Sequence, residues 1–158
     1  MEIRYLKDSD KAGLCKLSHQ INKQHFEKEP KYFCNPGKEG DDWEFWKNSH
    51  EKEGGFVLVA VLNEEIAGFV AAEMSDMPNL PFLNPMKRCR IATIVVSRKC
   101  QRRGIGTAMY ESVYKIAKEY GASDLNLEVF SFNRSAIAFY EKLGFINSSH
   151  RMSMPIAL

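Results

Sequence analysis

The chain has 158 residues, 22 Lys/Arg against 20 Asp/Glu for a net charge of +2, 44% hydrophobic and 27% charged residues; this balance excludes a disordered, fibrous or membrane-embedded chain and fits one soluble domain, 1–158, long enough to bury a core. No apolar run approaches a membrane span, and Met-Glu-Ile-Arg-Tyr at the start lacks the apolar region of a signal peptide, so a cytoplasmic location is expected. Cys15, Cys34, Cys89 and Cys100 show no Cys-x-x-Cys spacing and no His cluster joins them, which points to reduced thiols and no metal.

Ile3-Arg4-Tyr5-Leu6 reads as a short first strand. Asp8 or Ser9 then caps a helix whose positions Leu14, Leu17, Ile21 and His25 recur at helical spacing. Residues 29–42 contain Pro30, Pro36, Gly37 and Gly40 and are expected to form an irregular loop, followed by a short helix over 43–49 with Trp43, Phe45 and Trp46. Gly54-Gly55 breaks the chain before a strand over 56–61, and Asn63-Glu64 turns it into a second strand over 66–73, a hairpin. A loop with three prolines fills 76–87. A strand follows over 89–96, then a helix over 104–120 whose apolar positions, Ile105, Ala108, Met109, Val113, Ile116, Ala117 and Tyr120, are expected to make a wide buried stripe that Gly121 ends. Residues 125–130 alternate as a strand. Asn133 caps a last helix with Ala136, Phe139, Tyr140 and Leu143 on one face and Gly144 as terminator. Residues 145–148 and 151–156 suggest a closing antiparallel hairpin. The expected order is β-α-α-β-β-β-α-β-α-β-β.

The small net charge hides an asymmetry. Residues 1–76 hold fifteen acids and ten Lys/Arg; residues 77–158 hold five acids and twelve Lys/Arg. From Met77 to Tyr110 there are seven basic residues and no acid. Such a block can bind nucleic acid, but it lacks interleaved aromatics for base stacking. It coincides instead with Gln101-Arg102-Arg103-Gly104-Ile105-Gly106-Thr107-Ala108, where a β-branched strand runs through two arginines and a Gly-x-Gly into a helix. Glycines let the backbone approach a ligand, and the free N–H groups of a helix start, backed by the dipole, attract an anion. A phosphorylated cofactor explains the basic block with fewer assumptions than nucleic acid does. Met109 stands where a Rossmann fingerprint needs its third glycine, and the Gly-Lys-Ser/Thr of a P-loop is absent. A glycine-rich turn that merely starts a helix is the plainer alternative.

Gln-x-x-Gly-x-Gly after a buried strand resembles the acetyl-CoA pyrophosphate loop of the GCN5-related N-acetyltransferases (GNAT). Asn133-Arg134-Ser135-Ala136-Ile137-Ala138-Phe139-Tyr140-Glu141-Lys142-Leu143-Gly144-Phe145 is similar to the motif this family carries after its fifth strand. The likeness is densest from about Ile91 to Phe145; before that only the order of elements compares. It implies an α/β fold with a mixed, mostly antiparallel sheet whose fourth and fifth strands splay apart, flanked by helices. It implies acetyl-CoA as co-substrate, an amine acceptor and direct transfer in a ternary complex. Membrane and nucleic-acid partners are not expected, and a homodimer is left open. A non-catalytic acetyl-CoA-binding module on the same fold is the rival reading.

Carried over residue by residue, the resemblance lays the pantetheine arm along Ile94, Val95 and Val96, and the pyrophosphate against Gln101, Arg102, Arg103, Gly104, Ile105, Gly106 and Thr107. Asn133 touches the cofactor, and Tyr140 is the general acid that returns a proton to the thiolate. Glu128 matches the base of the ribosomal-protein N-terminal acetyltransferases, with Glu73 and a water relay as alternatives. The segment from His19 to Trp46, with Glu27, Glu29, Asp41, Asp42, Trp43, Glu44 and Trp46, is expected to face the acceptor, and acids with aromatics suit a cationic amine. A solvated acidic loop over a hydrophobic helix fits that segment equally well.

Overall fold

The protein is seen here in a computed structural model that describes residues 1–156. Strands β1 (Glu2–Tyr5), β2 (Gly55–Leu62), β3 (Glu65–Asp76), β4 (Lys87–Val96) and β5 (Asp124–Leu127) form one sheet in the order β1-β2-β3-β4-β5. The first three pairings are antiparallel and β4–β5 is parallel. Helices α1 (Lys11–Lys28), α2 (Trp43–Glu51), α3 (Ile105–Tyr120) and α4 (Arg134–Lys142) complete the chain. Among the described residues no helix is long and apolar enough to cross a membrane.

The chain divides into two compact units, Met1–Glu128 and the remainder from Val129. In the first, β2 and β3 are buried over most of their length, as their near-continuous apolar runs require when both faces are covered. One face packs Val57, Val59, Phe69, Ala71 and Val95 against Leu14, Leu17, Trp43 and Trp46 of α1 and α2. The other meets α3: a Cβ on Gly68 would lie 3.0 Å from the Met109 methyl, and Ile105, Met109, Val113 and Ala117 form the buried stripe. The β2–β3 turn is tight, with Asn63 and Glu64 both at positive φ (50° and 65°), the signature of a two-residue hairpin.

Three expectations are corrected. The first helix is not capped by Asp8 or Ser9; residues Asp8–Asp10 make a 3-10 turn, and Asp10 takes Nη1 and Nη2 of Arg4 at 2.7 and 2.8 Å and the Lys7 N–H at 2.9 Å. Burial alone would raise the Asp10 carboxyl, but these donors outweigh it and hold its pKa below the ordinary value. The fifth strand is shorter than expected and stops at Leu127, where its ladder with β4 stops. The closing hairpin is absent among the described residues: 145–156 form no strand, and Ile146, Met152, Met154 and Ile156 are 83–90% exposed. Alternating apolar residues make a strand only when one face is buried, and here no burial offsets the ordering of the chain.

In the second unit Asn133 caps α4, its side chain accepting from the Ala136 N–H at 3.3 Å, and Gly144 at φ 94° ends it. The Tyr140 ring packs edge-on to Phe145 at 5.6 Å.

Candidate active site

The informative part of the sheet is the second half of β4. β4 and β5 are in register only from Arg88↔Asp124 to Ile91↔Leu127, while β4 runs on to Val96. On the other side of β4 the register with β3 slips: Ala71 faces Thr93 and Ala72 faces Ile91, leaving Ala92 as a bulged residue. A bulge bends the strand and raises its twist, and it falls where β5 is left behind. From Ala92 onward β4 therefore has β3 on one side and, among the described residues of the first unit, no paired strand on the other.

Which backbone groups face that edge follows from the ladder. The Ser97 N–H donates to the Ala67 carbonyl at 2.8 Å, and these residues lie opposite each other one step beyond the Gly68↔Val96 pair. In an antiparallel ladder bonded and non-bonded pairs alternate, so Val95 and Thr93 turn their N–H and C=O toward β3, whereas Val96 and Ile94 turn theirs to the open edge. This refines the assignment of Ile94, Val95 and Val96 to a bound arm. Ile94 and Val96 offer main-chain groups, and Val95 offers none, its side chain being core at 3% exposure.

The chain leaves β4 through a 3-10 turn (Arg98–Cys100) and enters α3 through Gln101-Arg102-Arg103-Gly104. Gly104 has φ 78° and Arg102 φ 61°. A Cβ on Gly104 would meet nothing within 4 Å, so the glycine serves the left-handed backbone and not a close approach. Arg102 accepts the same conformation without being glycine, a strain of the kind that collects at ligand sites. The Gly104 carbonyl receives the first helical bond, from the Ala108 N–H at 3.0 Å. The N–H groups of Ile105, Gly106 and Thr107 consequently lie ahead of any intrahelical acceptor, at the positive end of a 16-residue helix. Arg98, Lys99, Arg102 and Arg103 add positive charge, and among the described residues none of them is ion-paired.

The remaining candidates are placed as follows. Gln101 turns its amide onto the Val96 carbonyl at 3.4 Å. Glu128 is the residue after β5, exposed, and by strand alternation shares the α1–α2 face of the sheet with Asn126. Glu73 lies opposite Arg90 in the paired half of the sheet and is held by the Lys52 ammonium at 2.7 Å. Burial pushes the Tyr140 hydroxyl up to about 12. That phenol stays protonated at neutral pH and is a weaker acid than a thiol, whose ordinary pKa lies near ~8.5, so it is a hydrogen-bond donor more readily than a proton donor.

Sequence reading missed the best-built polar cluster. Ser18, fully buried on α1, donates to the Asp42 carboxylate; Trp46 Nε1 donates to Ser18 Oγ at 2.8 Å and to Asp42 at 3.1 Å; Asn22 Nδ2 reaches both at 3.3 Å. Asp42 thus joins α1, α2 and the end of the 29–42 loop. Asp41 accepts from the Lys38 N–H at 2.8 Å. These two acids belong to the loop's own fold, while Glu27, Glu39, Glu44 and Phe45 are exposed. A Ser-x-x-x-Asn spacing on one helix face, with a Trp four residues after an Asp, is the signal that could have found the cluster. His25 bonds the Ile21 carbonyl at 2.9 Å and lies 4.8 Å from the Phe33 ring, so it too serves the loop. Cys15, beside Asp42, and Cys89 are buried, and that burial pushes both thiols up to about 11; neither is a nucleophile at neutral pH. Among the described residues no group of three His, Cys, Asp or Glu could hold a metal ion.

Comparison with known proteins agrees with this geometry. The family model described as "Acetyltransferase (GNAT) family" matches residues 22–145. An N-alpha-acetyltransferase of Sulfurisphaera tokodaii is 35% identical over 106 residues, covering 64% of this chain and 62% of that protein. One from Saccharolobus solfataricus is 33% identical over 102 residues, 61% of this chain and 60% of that protein. The match thus spans about three fifths of the length of these relatives. Among solved structures, a point mutant of the BH1408 protein from Bacillus halodurans superposes with a TM-score of 0.93 at 24% identity over 99% of this chain and 100% of that one. An aminoglycoside acetyltransferase, HMB0005, from an uncultured soil metagenomic sample gives 0.69 at 22% identity over 99% and 98%. These two likenesses concern the fold; the family match, covering most of the chain, carries the assignment. The chain belongs to the GNAT family of acetyltransferases.

Proposed function

We propose that the chain is an acetyl-CoA-dependent N-acetyltransferase that moves the acetyl group directly to a primary amine in a ternary complex. The observation that carries this reading is the open edge of β4 beside the uncapped start of α3. Ile94 offers a main-chain donor and acceptor and Val96 a main-chain donor to an extended arm bearing amides, and Ile105, Gly106 and Thr107 offer N–H groups to the pyrophosphate at its end. Arg102 and Arg103 add charge, with the modest weight of exposed pairs. No other stretch of the described chain joins an open strand edge to a basic helix start.

Acetyl-CoA supplies the activated thioester. The chain's part is positioning, oxyanion stabilisation and proton movement. An edge N–H of Ile94 or Val96 aimed at the thioester oxygen stabilises the charge that develops there. Glu128, directly or through water, takes the proton the attacking nitrogen must lose. Tyr140 and Asn133, which match the family's second motif, serve the cofactor: Tyr140 donates a hydrogen bond to the departing sulfur, and Asn133 adds a contact to its capping role. The acceptor enters past α1 and α2, where exposed Glu39, Glu44 and Phe45 favour a cationic amine.

Initial-rate kinetics with acetyl-CoA and a panel of polyamines, aminoglycosides, amino acids and N-terminal peptides tests this. Release of CoA thiol with intersecting double-reciprocal lines is expected. Parallel lines would replace direct transfer by a covalent acetyl-enzyme. Binding of acetyl-CoA with no thiol release for any amine would leave a non-catalytic binding module.

A further inference from the structure

Val96 is the last edge-facing residue of β4, and its carbonyl is held from two directions. Gln20 Nε2, from α1, and Gln101 Nε2, from the phosphate loop, each lie 3.4 Å from it. The other end of the Gln20 amide is also used: its Oε1 accepts from the Arg98 N–H at 3.4 Å, just past the strand's exit. One half-buried side chain thus spans the last residue of the strand and the first turn of the loop, 76 and 78 positions away in sequence. The contacts are long, but they converge on one turn, and each group of the amide takes the part its chemistry allows. A Glu at this position would lose the donor and a Lys the acceptor.

We propose that Gln20 is a positioning residue for the cofactor edge. It fixes the end of β4 against the start of the phosphate loop and, with Gln101, fills both lone-pair directions of the Val96 carbonyl. The consequence is a register for the bound arm. An arm lying along this edge pairs with the Val96 N–H and with the N–H and C=O of Ile94, and finds the Val96 C=O already occupied. The same amide ties the helix on the acceptor side to the strand on the cofactor side. This inference rests on the acetyl-CoA reading of the site.

The test is calorimetric titration of acetyl-CoA into wild type, Gln20→Met, Gln20→Glu, Gln101→Ala and the Gln20→Met/Gln101→Ala double variant, with thermal unfolding of each. Both Gln20 variants should weaken acetyl-CoA binding by roughly three- to tenfold, the range one lost hydrogen bond covers, with the unfolding midpoint close to wild type. Gln101→Ala should weaken it less, because Gln20 still serves the carbonyl. The double variant should lose more than the product of the single losses, since both act on one oxygen. Unchanged affinity in Gln20→Met, strictly multiplicative losses, or a lowered unfolding midpoint with unchanged affinity would overturn the proposal and leave the acetyl-CoA reading standing. Failure of the wild type to bind acetyl-CoA would overturn both.

Discussion

The cofactor side of β4 and the α1–α2 side of the sheet are built from different materials. Along the outer half of β4 and into α3, the groups we propose to hold the cofactor are mainly main chain: the edge of Ile94 and Val96 and the N–H groups of Ile105 to Thr107. On the α1–α2 side they are side chains, with Asp42, Ser18, Asn22 and Trp46 joined through one carboxylate. A main-chain surface cannot be deleted by replacing a side chain; it can only be obstructed or strained. A side-chain network can be dismantled by one substitution. The two regions should therefore fail differently, the first in ligand affinity with the fold intact, the second in stability together with acceptor recognition.

Of the side chains proposed to serve the cofactor, Tyr140 is the one whose change should have the largest effect. Tyr140→Phe keeps the ring against Phe145 and deletes only the hydroxyl. A fall in kcat of roughly 10²-fold is expected, the lower end of what proton-transfer groups supply, because its raised pKa makes it a hydrogen-bond donor more than an acid. Acetyl-CoA affinity should change little. Turnover within threefold of wild type would reduce Tyr140 to a packing residue.

Obstruction is the next test. Gly106 lies in the first turn of α3, where an acid complements the helix dipole. Gly106→Asp should leave the fold as stable as wild type and still weaken acetyl-CoA binding more than tenfold, ~1.4 kcal/mol or more, because the carboxylate occupies the anion position. Unchanged affinity by calorimetry would move the phosphates elsewhere. On the other side, Asp42→Ala should behave in the opposite manner. It strands the buried Ser18 O–H, the Trp46 N–H keeping Ser18 Oγ as its acceptor, and a loss of roughly 1–3 kcal/mol is expected by chemical denaturation, with the acceptor KM rising more than the acetyl-CoA KM. Equal changes in both KM values would break the contrast between the two sides.

How much of this was legible in the sequence follows the same division. The turn from β4 into α3 could be read because backbone geometry leaves marks on composition: a β-branched run, a glycine at φ 78° and a helix period occupy fixed positions in one short stretch. The register slip at Ala92 could not be read, since nothing in Ile-Ala-Thr-Ile announces which residue the ladder skips. That slip decides that Val95 faces inward while Ile94 and Val96 face out. The side-chain network was not legible because Asp41 and Asp42 look alike in sequence, yet one accepts from a loop N–H and the other receives Ser18, Asn22 and Trp46. Gln20 went unnoticed because its partners lie 76 and 78 residues away. The closing strands were expected from alternation alone, which carries no information about whether a face will be covered.

The smallest effect concerns stability at high pH. Burial raises the Cys15 and Cys89 thiols from 9.0 to about 11. The unfolded chain loses these protons near the ordinary value while the folded chain retains them. Between those values the unfolded state binds fewer protons, and stability falls as pH rises. Tyr140, raised from 10.0 to about 12, extends the decline. Denaturation midpoints measured from neutral pH to above pH 9 should drop, and Cys89→Ala should flatten part of that drop.

The central claim, that the cofactor is held by the open edge of β4 and the start of α3, is tested most directly by backbone amide exchange with and without acetyl-CoA. On adding acetyl-CoA, protection should appear at the amides of Val96, Ile94, Gly106 and Thr107, while Val95 and Thr93, already bonded to β3, stay as slow as before. Protection confined to other residues, or equal gains at Val95 and Val96, would contradict it.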